Sequence, residues 1–127
     1  MEESEELDPL TGAVIGAAIE VHRILGPGLL ESVYQKAMGR ELELRGIPFE
    51  PQAKVPIEYN GAEIGEDLKM DVVVDGRVVL ELKSVERLDP IHEAQLLTYL
   101  RLSRIHVGLL INFNVRVLKD GIRRRVL

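Results

Sequence analysis

The segment Asp71-Val-Val-Val-Asp75-Gly76-Arg77-Val-Val-Leu80-Glu81-Leu82-Lys83 constrains this chain more than any other. Two apolar runs flank an Asp-Gly pair, a short-range signal for a β-hairpin. Strand alternation puts Val79, Glu81 and Lys83 on one face of the second strand and Val78, Leu80 and Leu82 on the other. A carboxylate and an ammonium inside so apolar a strand are costly to bury unless paired or bound to a metal. With Asp71 from the preceding strand, two acids and a lysine converge on one place. That set suits metal-assisted hydrolysis.

The hairpin register decides whether they converge. A two-residue Asp75-Gly76 turn would set Asp71 opposite Leu80 and turn it away from Glu81 and Lys83. A three-residue loop, Val74-Asp75-Gly76, would pair Val73 with Arg77 and Asp71 with Val79, with Gly76 left-handed in a bulge. Asp71 and Glu81 then become diagonal neighbours on one face, with Cβ atoms roughly 7 Å apart, so that both reach one divalent cation. We expect the three-residue loop.

Around this hairpin the chain reads as alternating helices and strands. Leu10 to Leu25 is a helix opened by Asp8-Pro9 and stopped by Gly26-Pro27-Gly28. Its Gly12, Ala13, Gly16 and Ala17 mark close packing. Leu29 to Arg45 is a second helix, ended by Gly46 and Pro48. Phe49 to Tyr59 has strand character and turns at Asn60-Gly61, and Ile64 to Val74 and Arg77 to Ser84 form the central hairpin. Asp89-Pro90 opens a helix to about Leu102. Val107 to Phe113 is apolar enough to be buried on both faces. Val115 to Leu118 and Ile122 to Leu127 would close the chain as a hairpin around Asp120-Gly121. The order ααβββαβ(ββ) implies an α/β (α+β) fold, a mixed sheet flanked by helices. Neither repeat nor linker divides it, so we expect one domain over residues 1–127, with residues 1–8 an acidic tail.

Composition removes several functions. The absence of cysteine excludes disulfides, thiolate metal sites and cysteine nucleophiles. Met1 to Asp8 lacks the order of a signal peptide, and Leu10 to Ile19 is too short to span a bilayer. We therefore expect a cytoplasmic protein without membrane partners. A net charge of −5 argues against strong autonomous nucleic-acid binding, yet the charge is uneven. Residues 101–127 carry seven basic side chains against Asp120 alone, or +6, which leaves −11 for the first hundred. Such an end can contact phosphate locally or serve only as a solvated surface.

The third helix adds a narrow polar strip. His92, Gln95 and Tyr99 fall within about 60° on a helical wheel. Gln95 and Tyr99 also suit a plain helix-sheet boundary, and His92 suits a surface or capping position. No histidine cluster suggests zinc.

Gly28-Leu-Leu-Glu31-Ser-Val-Tyr34, Asp71 with Glu81-Leu-Lys83, Gln95-x-x-x-Tyr99 and Gly108-Leu-Leu-Ile-Asn112-Phe113 together resemble the GxxExxY proteins of the PD-(D/E)XK nuclease superfamily. They lie near the RecB-like branch, whose helix carries Gln-x-x-x-Tyr. The resemblance covers about residues 8–125. One position departs, since Met70 stands where the superfamily's name has proline. The resemblance implies a restriction-endonuclease-like fold and Mg²⁺-dependent phosphodiester cleavage, with Mn²⁺ as a substitute metal. It implies Asp71, Glu81, the Leu82 carbonyl and Glu31 as metal ligands. Lys83 would orient or help deprotonate the attacking water, and Gln95 and Tyr99 would hold Lys83, water or the nucleic-acid backbone. Glu31 also reads simply as a first-turn glutamate complementing its helix dipole. The implied partner is nucleic acid, DNA ahead of RNA, with a homo-oligomer or partner protein supplying further binding surface. The rival reading is a catalytically inert module of the same fold that binds or regulates.

Overall fold

The computed structural model describes residues 8–127, apart from the side chains of residues 66 and 67. Most of the acidic tail, residues 1–7, lies outside the described residues. Helix α1 (Pro9–Leu25) starts where expected. The Asp8 carboxylate accepts the Thr11 N–H and hydroxyl, each at 2.8 Å, and Pro9 occupies the first turn. Gly26, at φ +71°, ends it. Helix α2 (Glu31–Leu44) follows after a short loop.

Strands β1 (Phe49–Tyr59), β2 (Ala62–Val74) and β3 (Val78–Lys83) form an antiparallel meander. Helix α3 (Pro90–Ser103) then crosses to β4 (Val107–Asn112), which lies parallel to β3. Strand β5 (Ile122–Val126) pairs antiparallel with β4, so the five strands run β1-β2-β3-β4-β5 across one mixed sheet. Helices α1 and α2 cover one face through Val14, Ala17, Val21, Tyr34, Met38 and Leu42, packed on Leu80, Leu82, Leu109 and Ile111. Helix α3 covers the other through Leu96, Tyr99 and Leu100, packed on Val79 and Leu110. This restriction-endonuclease-like layering sets odd-numbered residues of β3 toward α3 and even-numbered ones toward α1 and α2, as strand alternation requires.

Three expectations need correction. The central loop has three residues, but they are Asp75, Gly76 and Arg77, and Val74 pairs with Val78 rather than Val73 with Arg77. Asp75 and Gly76 both have positive φ, +52° and +65°, and the Arg77 N–H closes the turn on the Val74 carbonyl at 2.9 Å. Arg77 is thus the extra residue of the bulge, and the register moves Asp71 two positions along, from opposite Val79 toward Glu81 itself. Second, Val115 to Leu118 is not a strand. Leu118 is buried in the core and opens a 3-10 turn, Leu118–Gly121. A Cβ at Gly121 would come within 2.3 Å of the Asn112 carbonyl oxygen, so this close approach, not a hairpin turn, is what the glycine serves. Third, Gly12 does not mark close packing, because nothing would lie within 4 Å of a Cβ there. Gly108 does: a Cβ would meet the Leu96 side chain at 2.7 Å and the Leu100 side chain at 3.2 Å, so the glycine lets these α3 side chains lie close on β4.

Candidate active site

The β2–β3 ladder runs only as far as Val72 opposite Leu80. Beyond it, side chains take over the main-chain groups. The Asp71 N–H donates to Glu81 Oε2 at 3.1 Å, and the Leu82 N–H donates to Asp71 Oδ2 at 2.8 Å. The two acids are crossed, each receiving an amide from the other's strand. This exchange coincides with a roll in the neighbouring strand pair. Phe49 and Val74 pack toward α1 and α2, whereas Ala53 and Met70, in the same register, pack toward α3. Gln52 lies between them at φ +51°, a conformation uncommon for a residue other than glycine.

Burial makes this pair electrostatically tense. Glu81 is 3% exposed on a strand otherwise filled with Val and Leu. Loss of water, and then the Asp71 charge, push its carboxyl up to about 8, against the Asp71 amide and the Lys83 charge, which favour ionisation. Asp71 is also raised, chiefly by burial, with the Leu82 amide and Lys83 pulling the other way. The charges of Lys83 and Glu31 both act on each of these carboxylates, Lys83 lowering and Glu31 raising them.

Glu31 comes from the far side of the sheet through a chain of contacts. Its Oε2 accepts the Ser84 N–H at 3.3 Å, and the Ser84 hydroxyl donates to the Leu29 carbonyl at 2.5 Å. Tyr34 secures this loop: its hydroxyl donates to the Gly26 carbonyl at 2.6 Å and accepts the Leu29 N–H at 3.2 Å. Its ring stacks on Phe113 with centroids 4.5 Å apart. Glu31 and Tyr34 of the Gly28–Tyr34 segment therefore share one task. They fasten the start of α2 to the end of β3.

On the α3 side, Gln95 Nε2 donates to the Tyr99 hydroxyl at 3.1 Å. Tyr99 is raised by burial and by the Glu81 and Asp71 charges, which places its phenol within their field. His92 turns elsewhere. Its Nδ1 accepts the Asp89 N–H at 3.0 Å, so it caps α3 and is not brought to the acids.

Sequence reasoning assigned no task to Asn112, and the structure does. It is buried, with Oδ1 accepting the Val85 and Asn114 N–H groups at 3.0 and 3.1 Å and Nδ2 donating to the Val85 carbonyl at 2.9 Å. Its neighbour Phe113 donates its N–H to the Lys83 carbonyl at 2.9 Å. Together they fix the chain as it leaves Lys83. The signals in the sequence are a polar residue ending an otherwise apolar strand and its place in the Gly108–Phe113 motif.

The donors fit a hard divalent cation. Asp71 and Glu81 offer carboxylate oxygens and nothing soft, which suits Mg²⁺ held by one or two carboxylates with waters and phosphate completing the shell. Among the described residues no group of three or more His, Cys, Asp or Glu side chains lies close enough to hold a metal. Nor is any described helix long and apolar enough to cross a membrane.

Neither the curated proteins nor the solved structures yield a match to this chain. A family model described as the PD-(D/E)XK nuclease superfamily matches residues 8–125. That span takes in α1, α2 and α3 and all of the sheet except Val126. The chain belongs to the PD-(D/E)XK nuclease superfamily.

Proposed function

We propose that this chain is a metal-dependent phosphodiesterase acting on nucleic acid, with Mg²⁺ held by Asp71, Glu81 and the Leu82 carbonyl, and Glu31 as a further acid. The crossed Asp71–Glu81 pair carries this reading. Placing two acids side by side on adjacent strands, one of them buried, costs folding energy, and a divalent cation relieves that cost. Bound there, Mg²⁺ would polarise a phosphoryl oxygen and lower the pKa of a water. Lys83 orients the attacking water and offsets negative charge on the phosphate. Water adds to phosphorus, one ester P–O bond breaks, and the leaving oxygen takes a proton. Gln95 steadies the Tyr99 hydroxyl, and the two face the water or the backbone from α3. The Gly28–Tyr34 segment and the Gln95–Tyr99 pair support placement in the GxxExxY subfamily, near the RecB-like branch.

The test is cleavage of labelled single- and double-stranded DNA and RNA with Mg²⁺ or Mn²⁺, with EDTA as control. Wild type should cut only with metal, and Lys83→Ala and Asp71→Asn should each lower the rate at least 10²-fold, the range for losing a group acting on the reacting atoms. Folded wild-type protein that neither cuts nor binds Mn²⁺ would overturn the reading.

A further inference from the structure

A basic pocket lies on the α1 side of the molecule, away from the acid pair. It has a volume of about 400 Å³, with Ile19, Val117 and Leu118 as its apolar lining and His22, Arg116 and Lys119 among its polar lining. Arg23 also lines it, but its guanidinium is held by Glu20 at 2.8–2.9 Å. Arg116 and Lys119 are exposed. Asp120, on the same turn as Lys119, is the acid nearest in sequence.

The pocket is tied to the catalytic strand through Phe113. That residue donates its N–H to the Lys83 carbonyl, and its ring lies 6.5 Å from His22. His22 Nε2 donates to the Val115 carbonyl at 2.7 Å, since a carbonyl only accepts. The His22 ring is thereby locked at the pocket wall, and the pocket holds a fixed position relative to Lys83.

Resting on the nuclease reading, we propose that this pocket binds one unpaired nucleotide of the substrate strand, outside the cleavage site. Arg116 and Lys119 take its phosphate, and Ile19 and Val117 receive the face of its base. Ile19 and Val117 are about half exposed, 49% and 51%, so each has apolar surface free to cover. A base stacked and paired in a duplex presents no free face, so the pocket selects single-stranded flanks. Two of the seven basic side chains of residues 101–127, Arg116 and Lys119, line it.

The test is anisotropy of labelled oligothymidylate with the full chain in EDTA, across a salt series. The Arg116→Ala/Lys119→Ala double variant should bind about tenfold more weakly, with a salt slope lower by about 1 to 1.5. Val117→Ser should weaken binding about threefold at unchanged slope, because it removes contact and no charge. Lys54→Ala/Lys69→Ala, the same charge change on the β1–β2 pair, should bind as wild type does. Equal affinity and slope for the Arg116/Lys119 and Lys54/Lys69 variants would overturn the inference, as would equal wild-type binding of a duplex of the same length. Binding in EDTA is independent of cleavage. A protein that binds as described but neither cuts nor binds Mn²⁺ leaves nucleotide binding at this pocket standing and removes the nuclease reading.

Discussion

Glu81 and Asp71 exchange main-chain amides, yet they are buried unequally: Glu81 is 3% exposed and Asp71 only half-buried. The deeper acid therefore carries most of the tension. With its folded value near 8 against 4.5 in the unfolded chain, the native state keeps a proton that the unfolded state gives up. Its contribution to stability is greatest below pH 4.5 and declines as pH rises through 8. Asp71 is raised and adds in the same direction, and the lowered Asp8 acts oppositely at more acidic pH. Thermal melts of the metal-free protein should lose about 5–10 °C between pH 5 and pH 8. Glu81→Gln should flatten that dependence, and Mn²⁺ at pH 8 should restore the loss in wild type alone. Parallel pH curves for the two proteins would contradict the assignment.

Tyr34 joins the start of α2 to the end of β3 through its hydroxyl as well as its ring. Tyr34→Phe keeps the stack on Phe113 and loses the bonds to Gly26 and Leu29. Denaturant unfolding should show a loss of about 1–2 kcal/mol. Any cleavage activity should fall further than stability does, since the loop that carries Glu31 to Ser84 loosens.

Asn112 satisfies both main-chain groups of Val85 from a buried position. Asn112→Leu leaves them without that partner, at about 1–3 kcal/mol. Urea midpoints of the two proteins measure the difference, and an unchanged midpoint would show that the clamp contributes nothing.

Two glycines should respond to alanine in opposite directions. Gly12→Ala, in the exposed interior of α1 with open space around it, should stabilise by about 0.5–1 kcal/mol. Gly121→Ala drives a methyl into the Asn112 carbonyl and should cost about 1–3 kcal/mol. Melting the two variants side by side checks both signs.

Much of the architecture was legible because strand alternation and helix caps are local rules. Phe49–Tyr59 appears with the bounds its composition suggests, and Asp89-Pro90 opens α3 as expected. The shared face of Val79, Glu81 and Lys83 follows from alternation alone, and so survives the corrected register. What escaped depends on contacts distant in sequence. The Val115–Leu118 segment has strand-like residues, but β5 pairs along β4 and Leu118 is taken into the core. The roll at Gln52 and the clamp from Asn112 to Val85 are likewise set by partners no local pattern reveals. Gln95 and Tyr99 were found by their spacing, whereas the contact between them and the acids' effect on Tyr99 required the fold.

The acid pair is separated by only ten residues along the chain, within one hairpin, whereas Glu31 and Asn112 reach Ser84 and Val85, just past β3, from far away in sequence. Hairpins close in microseconds, and a parallel β3–β4 crossover, which must wait for α3, is slow. During folding the two carboxylates thus meet while still bathed in water, where both are charged at neutral pH. They lose that water only when α3 and β4 arrive. A cation present at that moment would be enclosed with its ligands as the sheet completes, so added metal should quicken the last step of refolding.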